Sequence, residues 1–462
     1  MALVLGIDSS TQSCKAVLVD AATGHVVDEG RASHPSGTEV DPAAWIEALD
    51  IATEGLLGRA DALSIAGQQH GMVALDAHGD LVRPALLWND TRSAQAARDL
   101  NEEIGGADVA VDATGSVYLA SITATKLRWM RDHEPDNARR TAAVLLPHDY
   151  LTWHLLGRKR MVTDHGDASG TGYYSTRDRA WRHDLVELAF GHGVTLPDLL
   201  GPNEVAGRTS SGALVAPGTG DNAAAALGLS LKPGDVSVSI GTSGVASATV
   251  DNSVHDPSGL VTGFADATGA YLPLSCTLNG ARVLELGRRI LGVEWEEFDK
   301  LALASDPGSA GLVLQPYLDG ERTPNRPGAT GVLAGLTSAT TREDFARATV
   351  EGLLSSMDDA VTALVDATGV PAKRILLIGG GARSEAVRQI APEVFGTDVV
   401  IPEPAEYVAL GAARQAAWVL SGSDKPPTWD IAGSTTISRQ RNDDIAVRYA
   451  RLREATRDWC NP

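Results

Sequence analysis

The chain has 462 residues, 43% of them hydrophobic and 21% charged, with a net charge of −20. That length spans more than one domain and can bury a large core without staples. The acidic balance opposes nonspecific nucleic-acid binding and attraction to anionic lipid, so neither a nucleic acid nor a membrane surface is an expected partner.

In chain order, Leu3-Val-Leu-Gly-Ile-Asp8-Ser-Ser-Thr-Gln-Ser-Cys14 reads as a strand, a small polar turn and the start of a second strand. Strands over 3–7, 15–20 and 26–33 would form a meander. Asp8 ends the first strand, where a carboxylate is costly to bury unless it meets a cation or hydrogen-bond donors. Asp41-Pro42 predicts a helix start, with Asp as N-cap and Pro at the first helical position. Trp45, Leu49, Ala52 and Leu56 form its apolar stripe, and Gly58 can end it. A strand over 62–66 leads into Gly67-Gln-Gln-His70-Gly71 and another strand to Leu75. This alternation is α/β architecture with a mixed sheet. Helices are expected over 92–104 and 123–134, and a strand running into a helix over 143–150. The polar, turn-rich stretch 159–178 reads as a loop over the surface or a cleft.

The second half repeats the plan. Pro233-Gly234 marks a break, giving expected domains 1–230 and 231–462. Asp235-Val-Ser-Val-Ser-Ile-Gly241-Thr-Ser-Gly244 is again a strand and a polar turn, with a further strand to Val250. After a long insertion comes a helix over 341–367, opened by Thr341-Arg-Glu-Asp344 in a capping-box pattern and stopped by Gly369. Arg374 to Ser384 reads as a strand, a triple-glycine turn and a helix, and 406–416 as a closing helix.

Polar turns of this kind expose backbone N–H groups and hydroxyls at low steric cost, which suits phosphate oxygens. One in each half implies two similar lobes closing on a nucleotide. No G-x-x-x-x-G-K-[ST] occurs, and Gly379-Gly-Gly381 is not a dinucleotide fingerprint, so a nucleotide would be held by paired hairpins. Asp221, before an alanine-rich helix, is either an N-cap or a carboxylate able to take a proton from an attacking hydroxyl. His70 is either a satisfied strand-end histidine or a donor to a sugar hydroxyl. Trp88-Asn-Asp-Thr-Arg92 is either a polar cluster at a site or a helix start at Asp90 with Trp88 in the core. Three cysteines, Cys14, Cys276 and Cys460, are odd in number and widely spaced, which argues against a disulfide framework or a zinc site and fits a reducing cytoplasm. The first residues lack the basic flank of a signal peptide, and no apolar run approaches the ~20 residues of a membrane span.

Seven motifs together resemble the FGGY family of carbohydrate kinases, and within it the xylulokinase branch. They are Gly67-Gln-Gln-His-Gly71, Leu87-Trp-Asn-Asp-Thr-Arg92, Leu145-Leu-Pro-His-Asp-Tyr150, Gly220-Asp-Asn-Ala223, Ile240-Gly-Thr-Ser-Gly-Val245, Tyr317-Leu-Asp-Gly-Glu-Arg-Thr-Pro324 and Gly379-Gly-Gly-Ala382. The resemblance implies an α/β fold of two actin-like, ribonuclease-H-type lobes with a cleft between them, the first lobe binding sugar and the second nucleotide. It implies phosphorylation of a ketopentose, D-xylulose to D-xylulose 5-phosphate, with ATP and Mg²⁺. By position, Asp221 would be the general base and Asp8 the carboxylate near the Mg²⁺. Gln69, His70, Trp88, Asp221 and Asn222 would face the sugar. Thr11, Gln12, Gly241 and Thr242 would face phosphate, and Gly380, Gly381 and Ala382 the adenosine side. The resemblance also allows a homodimer.

The branch's first turn reads Asp-x-Gly-Thr-Ser-Gly, whereas Asp8-Ser-Ser10-Thr-Gln-Ser13 puts serine at both glycine positions. Serine is disfavoured there if the turn needs φ > 0. Gln69 stands where many members carry Met. The competing expectations are a kinase of the same fold acting on ribulose, gluconate, rhamnulose or glycerol, an actin-like ATPase that turns over without sugar, and a silent sugar-binding sensor.

Overall fold

The computed structural model describes residues 1–429 and 433–459; Cys460 lies outside them. Two compact units divide the chain, and they interleave. The first comprises 1–231 with 251–272 and 405–429, and the second 232–250, 273–404 and 433–459. The first unit breaks after residue 231, and two later segments return to it.

The sheet of the first unit runs in the order Gly207–Arg208, Leu214–Val215, Ala62–Gly67, Leu3–Ser9, Ser13–Asp20, Val26–Ser33. Leu3–Ser9 is antiparallel to Ser13–Asp20, from Leu3 opposite Asp20 to Ser9 opposite Cys14. It is parallel to Ala62–Gly67, with Asp8 beside Ala66 and Ser9 beside Gly67. Thr219–Gly220 pairs in parallel with the end of Ala62–Gly67. Alternate residues point to opposite faces of a strand. Leu5, Ile7, Leu18, Leu63 and Ile65 accordingly pack against Trp45 and Leu49. Val4, Val17, Val19 and Ala62 pack on the other face against Ala409, Ala413, Ala416 and Ala417.

Those alanines belong to the helix Tyr407–Ser421, longer than the closing helix expected over 406–416. Its small residues let it lie directly on the sheet: a Cβ added at Gly6 would collide with the Ala409 carbonyl. Gln415 fastens it by accepting from the Ser64 hydroxyl at 2.5 Å and donating to Gly218 O at 3.1 Å. The segment 251–272 is tied in through Gly263 N–H to Gly115 O at 2.8 Å and Ala265 N–H to Ser169 Oγ at 3.1 Å.

The second unit repeats this pattern. Asp235–Ile240 is antiparallel to Gly244–Ala248 and parallel to Arg374–Ile378, which is parallel to Asp398–Pro402. Arg342–Thr368 is a single 27-residue helix. Thr341 and Asp344 cap it reciprocally, and Gly369 ends it at φ 67°.

Two local expectations need correction. The helix after Asp41 is Ala43–Thr53, ending before Gly58, with Pro42 at the N-cap position; the Asp41 carboxylate still accepts the Ala43 N–H at 2.9 Å. The stretch 159–178 is not a surface loop. Val162–Asp164 is a strand, His165–Ala168 a helical turn, and most of the stretch from Val162 to Thr176 is buried. Its polar groups bond to one another and to neighbouring buried residues, which a pattern of hydrophobicity does not reveal.

Candidate active site

In the first unit the parallel strands Leu3–Ser9, Ala62–Gly67 and Thr219–Gly220 end together. Their carboxyl ends are where an α/β sheet offers loops and helix starts to a ligand. Asp8 is on the first, Gln68-Gln69-His70 follow the second, and Asp221-Asn222 follow the third.

Asp8 is buried, and the Ser10 hydroxyl donates to its Oδ1. Burial pushes its carboxyl up to about 6, against the pull of Ser10 and Lys15; Glu406 adds to the rise. Lys15 is itself engaged by Glu406 at 2.6 Å. The turn beyond Asp8 closes through Ser10 N–H to Ser13 O at 3.1 Å. Neither Ser10 nor Ser13 has positive φ, so both serines sit without strain. Thr11 is fixed from above and below: Trp88 Nε1 donates to its hydroxyl at 2.9 Å, and that hydroxyl reaches Gln68 Oε1 at 3.5 Å. Gln12 is exposed, and its carbonyl accepts the His34 N–H at 2.9 Å. Trp88 is 44% exposed and is not a core residue, and the neighbouring helix, Ala94–Glu103, starts after Ser93 rather than at Asp90.

Asp221 is the first residue of the helix Asp221–Gly228, and Gly220 is its N-cap. The carboxylate is therefore not spent as a cap. Its Oδ1 accepts the Asn222 N–H at 2.8 Å. Burial, then the charges of Asp8 and Asp167, push it up to about 7. Asn222 Nδ2 donates to Gln69 Oε1 at 2.8 Å, joining the second and third strand ends. His70 adopts φ 67°, its Nδ1 pairs with Gly170 O at 2.7 Å, and its ring tilts against Phe264. Asn222 thus links Gln69 to Asp221, Trp88 holds Thr11, and the charge of Asp8 acts on Asp221.

The second unit brings its own candidates together. The turn Gly241 to Ser243 follows Asp235–Ile240, and the glycine turn follows the adjacent parallel strand Arg374–Ile378. A Cβ at Gly381 would strike Ile240, so the two turns lie side by side. Gly379 takes φ 90°, and the space around Gly380 is open. Ser384 then caps the helix Glu385–Phe395.

Sequence reasoning missed two groups. Buried Glu321 accepts from Leu278 N–H at 2.6 Å and Asn279 Nδ2 at 2.9 Å. The next residues, Gly280 and Ala281, donate to Thr242 O and Gly241 O at 3.1 and 2.7 Å, so Glu321 braces the second turn from behind. His148 with Asp149, Asp164 and Asp167 forms a buried charged cluster in the first unit. Both groups fall in motifs or stretches visible in the sequence, but nothing there shows that they are buried.

The model of the FGGY family of carbohydrate kinases, N-terminal domain, matches residues 3–228, and that of the C-terminal domain residues 236–420. The chain belongs to the FGGY family of carbohydrate kinases. This kinase is 46% identical to the xylulose kinase of Streptomyces coelicolor, over 96% of its own length and 94% of the relative's. It is 45% identical to that of Streptomyces rubiginosus over the same shares. The crystal structure of xylulose kinase from Bifidobacterium adolescentis superposes with a TM-score of 0.93 at 45% identity, covering 98% of this chain and 99% of that one. A glycerol kinase structure from Plasmodium falciparum, 18% identical with a TM-score of 0.87, shares the fold. Among the described residues no helix is long and apolar enough to cross a membrane.

Proposed function

We propose that this carbohydrate kinase phosphorylates D-xylulose at its 5-hydroxyl, with Asp221 as the general base. The observation that carries the reading is the state of Asp221. It is a carboxylate at a helix start that does not cap the helix, its proton affinity is lifted to about 7, and it is linked through Asn222 to Gln69. A base of that strength is matched to taking a proton near neutrality. The full-length likeness to relatives named xylulose kinases supports the choice of acceptor.

ATP is the phosphoryl donor. The sugar hydroxyl oxygen attacks the γ-phosphorus, its proton passes to an Asp221 oxygen, and the bond from phosphorus to the β,γ-bridging oxygen breaks to release ADP. Gln69, His70, Asn222 and Trp88 orient the sugar. Thr11 and Gln12 in the first unit, and Gly241 and Thr242 in the second, present N–H and hydroxyl donors to phosphate. Gly380 to Ala382, with open space beside Gly380, receive the adenosine side.

Among the described residues no group of three or more His, Cys, Asp or Glu side chains could hold a metal ion. Mg²⁺ does not require one, since it commonly binds one or two carboxylates and completes its shell with water and substrate phosphates. Asp8 fits that demand: it is buried, only partly offset by Ser10 and Lys15, and raises the proton affinity of Asp221. When bound, the ion would offset charge on the phosphate oxygens.

The test is ADP release with ATP across ketoses, polyols and aldonates, for the wild type and Asp221→Asn. D-xylulose should give the highest kcat/KM. The variant should lose ~10²–10⁴ in kcat with little change in sugar affinity. A different preferred acceptor would overturn the substrate, sugar-independent turnover the kinase reading, and an active Asp221→Asn variant the assignment of the base.

A further inference from the structure

The buried cluster around His148 is not used by the chemistry above. His148 is the second residue of the helix Pro147–Leu155 and is fully buried. Its Nδ1 lies 2.7 Å from Asp167 Oδ2, and its Nε2 lies 3.2 Å from Asp149 Oδ1 and 4.0 Å from Asp164 Oδ1. Burying an ionic group of this size is seldom the best way to stabilise a core, since apolar residues of similar volume often do as well or better. Its position suggests another use.

The imidazole is wedged between two strand ends. A Cβ at Gly67 would sit 2.8 Å from the His148 Cβ, and one at Gly218 would strike the ring itself. Gly67 leads directly into Gln68-Gln69-His70, and Gly218 into Thr219-Gly220-Asp221. The carboxylates carry the link further. Asp164 accepts the Thr219 hydroxyl at 2.7 Å and caps the turn His165–Ala168 through the N–H groups of Gly166 and Asp167. Asp167 O accepts the Gly170 N–H at 2.9 Å, and Gly170 O meets His70 Nδ1 at 2.7 Å. The chain of contacts from His148 therefore ends on His70 on one side and on the residues before Asp221 on the other.

We propose that His148 is a positioning residue for phosphoryl transfer: clasped by Asp167 and facing Asp149, it fixes the strand ends that carry Gln69, His70 and Asp221, and its positive charge offsets the Asp167 carboxylate that acts on Asp221. The proposal rests on Asp221 being the proton acceptor. Burial alone would strip His148 of its proton, but Asp149, Asp167 and Asp164 outweigh it and push the group up to about 9. Burial drives Asp149 up to about 7 and Asp167 up to about 6, and the imidazolium pulls both back. The groups facing the cluster are Tyr173, which senses Asp149 and Asp167, and the Leu146 N–H on Asp149. Those facing Asp221 are Asp8, Asp167 and Asn222, with Lys15 and Glu406 around Asp8. Arg414 from the helix Tyr407–Ser421 meets the far end of the Asp221 helix, at Leu227 O.

The test uses His148→Gln, Asp167→Asn, the double variant and Asp221→Asn in the full chain. Initial rates are measured with ATP and D-xylulose from well below to well above neutrality. His148→Gln should lower kcat about 10- to 100-fold, the scale of a small misplacement of a catalytic group, with a smaller change in sugar KM. The acid limb of kcat/KM should move to lower pH in Asp167→Asn, where a negative neighbour is gone and the His148 charge stands alone, and return toward the wild-type position in the double variant, where neither charge remains. A purely structural cluster would cost thermal stability and leave the limb at its wild-type position. An unmoved limb in Asp167→Asn, or a double variant no different from it, overturns the proposal. If His148→Gln does not fold, the near-isosteric Asp167→Asn decides alone: a lower limb supports the proposal and an unmoved one overturns it. Normal turnover by Asp221→Asn would remove the underlying assignment; an inactive Asp221→Asn with unmoved limbs in the other variants would remove only the role of His148.

Discussion

The hairpin after Asp8 and the hairpin after Ile240 occupy equivalent places in two similar sheets, yet they are built differently. In the first, four residues, Ser10 to Ser13, lie between the paired Ser9 and Cys14; in the second, three, Gly241 to Ser243, lie between the paired Ile240 and Gly244. The first carries a buried carboxylate at its base and has its carbonyls and hydroxyls tied to His34, Trp88 and Gln68. The second has no acid at its base; Thr242 and Ser243 are exposed, and the turn is braced from behind by residues 280–281 and Glu321. Both units carry the backbone device, and the ionisable chemistry sits in one. An uncharged turn repels no phosphate, whereas a buried acid there needs a counterion.

That division can be broken most severely at Asp8. Asp8→Asn should lower kcat by about 10²-fold or more, the scale of losing one charge-stabilising group, and raise the Mg²⁺ concentration needed for half-maximal rate, with sugar KM little changed. A Mg²⁺ titration of the steady-state rate checks this. Removing the brace of the second turn should be felt only on the nucleotide side. Glu321→Gln should weaken ATP binding about tenfold and cost ~1–3 kcal/mol of stability, since buried donors lose their charged acceptor, and leave sugar KM unchanged. Calorimetric ATP titration and thermal melts read both. Acidification sharpens the contrast within the first unit. Because Asp221 is held at about 7, kcat/KM should fall as pH drops through that value and the base takes up a proton. Thr242→Val should raise the KM for ATP about threefold, the worth of one exposed hydrogen bond. The smallest effect is expected for Ser13→Gly, which changes activity by less than about twofold and costs ~0.5–1 kcal/mol, because the position is a strand residue without positive φ.

The paired hairpins, the strand order around them and the long capped helix were legible because their signals are local. Alternation marked Leu3–Ser9 and Asp235–Ile240, and Thr341 with Asp344 marked a helix start. The candidate residues Asp8, Gln69, His70 and Asp221 were legible through motif resemblance, and the bonds that hold them in place were not. His148, Asp164, Asp167 and Glu321 escaped because a buried polar residue in sequence looks like an exposed one. Only the strand ends closing over it make the difference. The interleaving of the units escaped for a related reason: the small residues of Tyr407–Ser421 show that something packs closely, but not which sheet it packs on.

That late helix has a consequence for biosynthesis. The strand bearing Asp8 is synthesised long before the residues that cover its Gly6 side. The amino-terminal unit cannot finish folding as an independent nascent domain. Until Ala409 and Ala413 arrive, Val4, Val17 and Ala62 remain an uncovered apolar face. A premature stop before Tyr407 would therefore damage the unit made first as surely as the one made last.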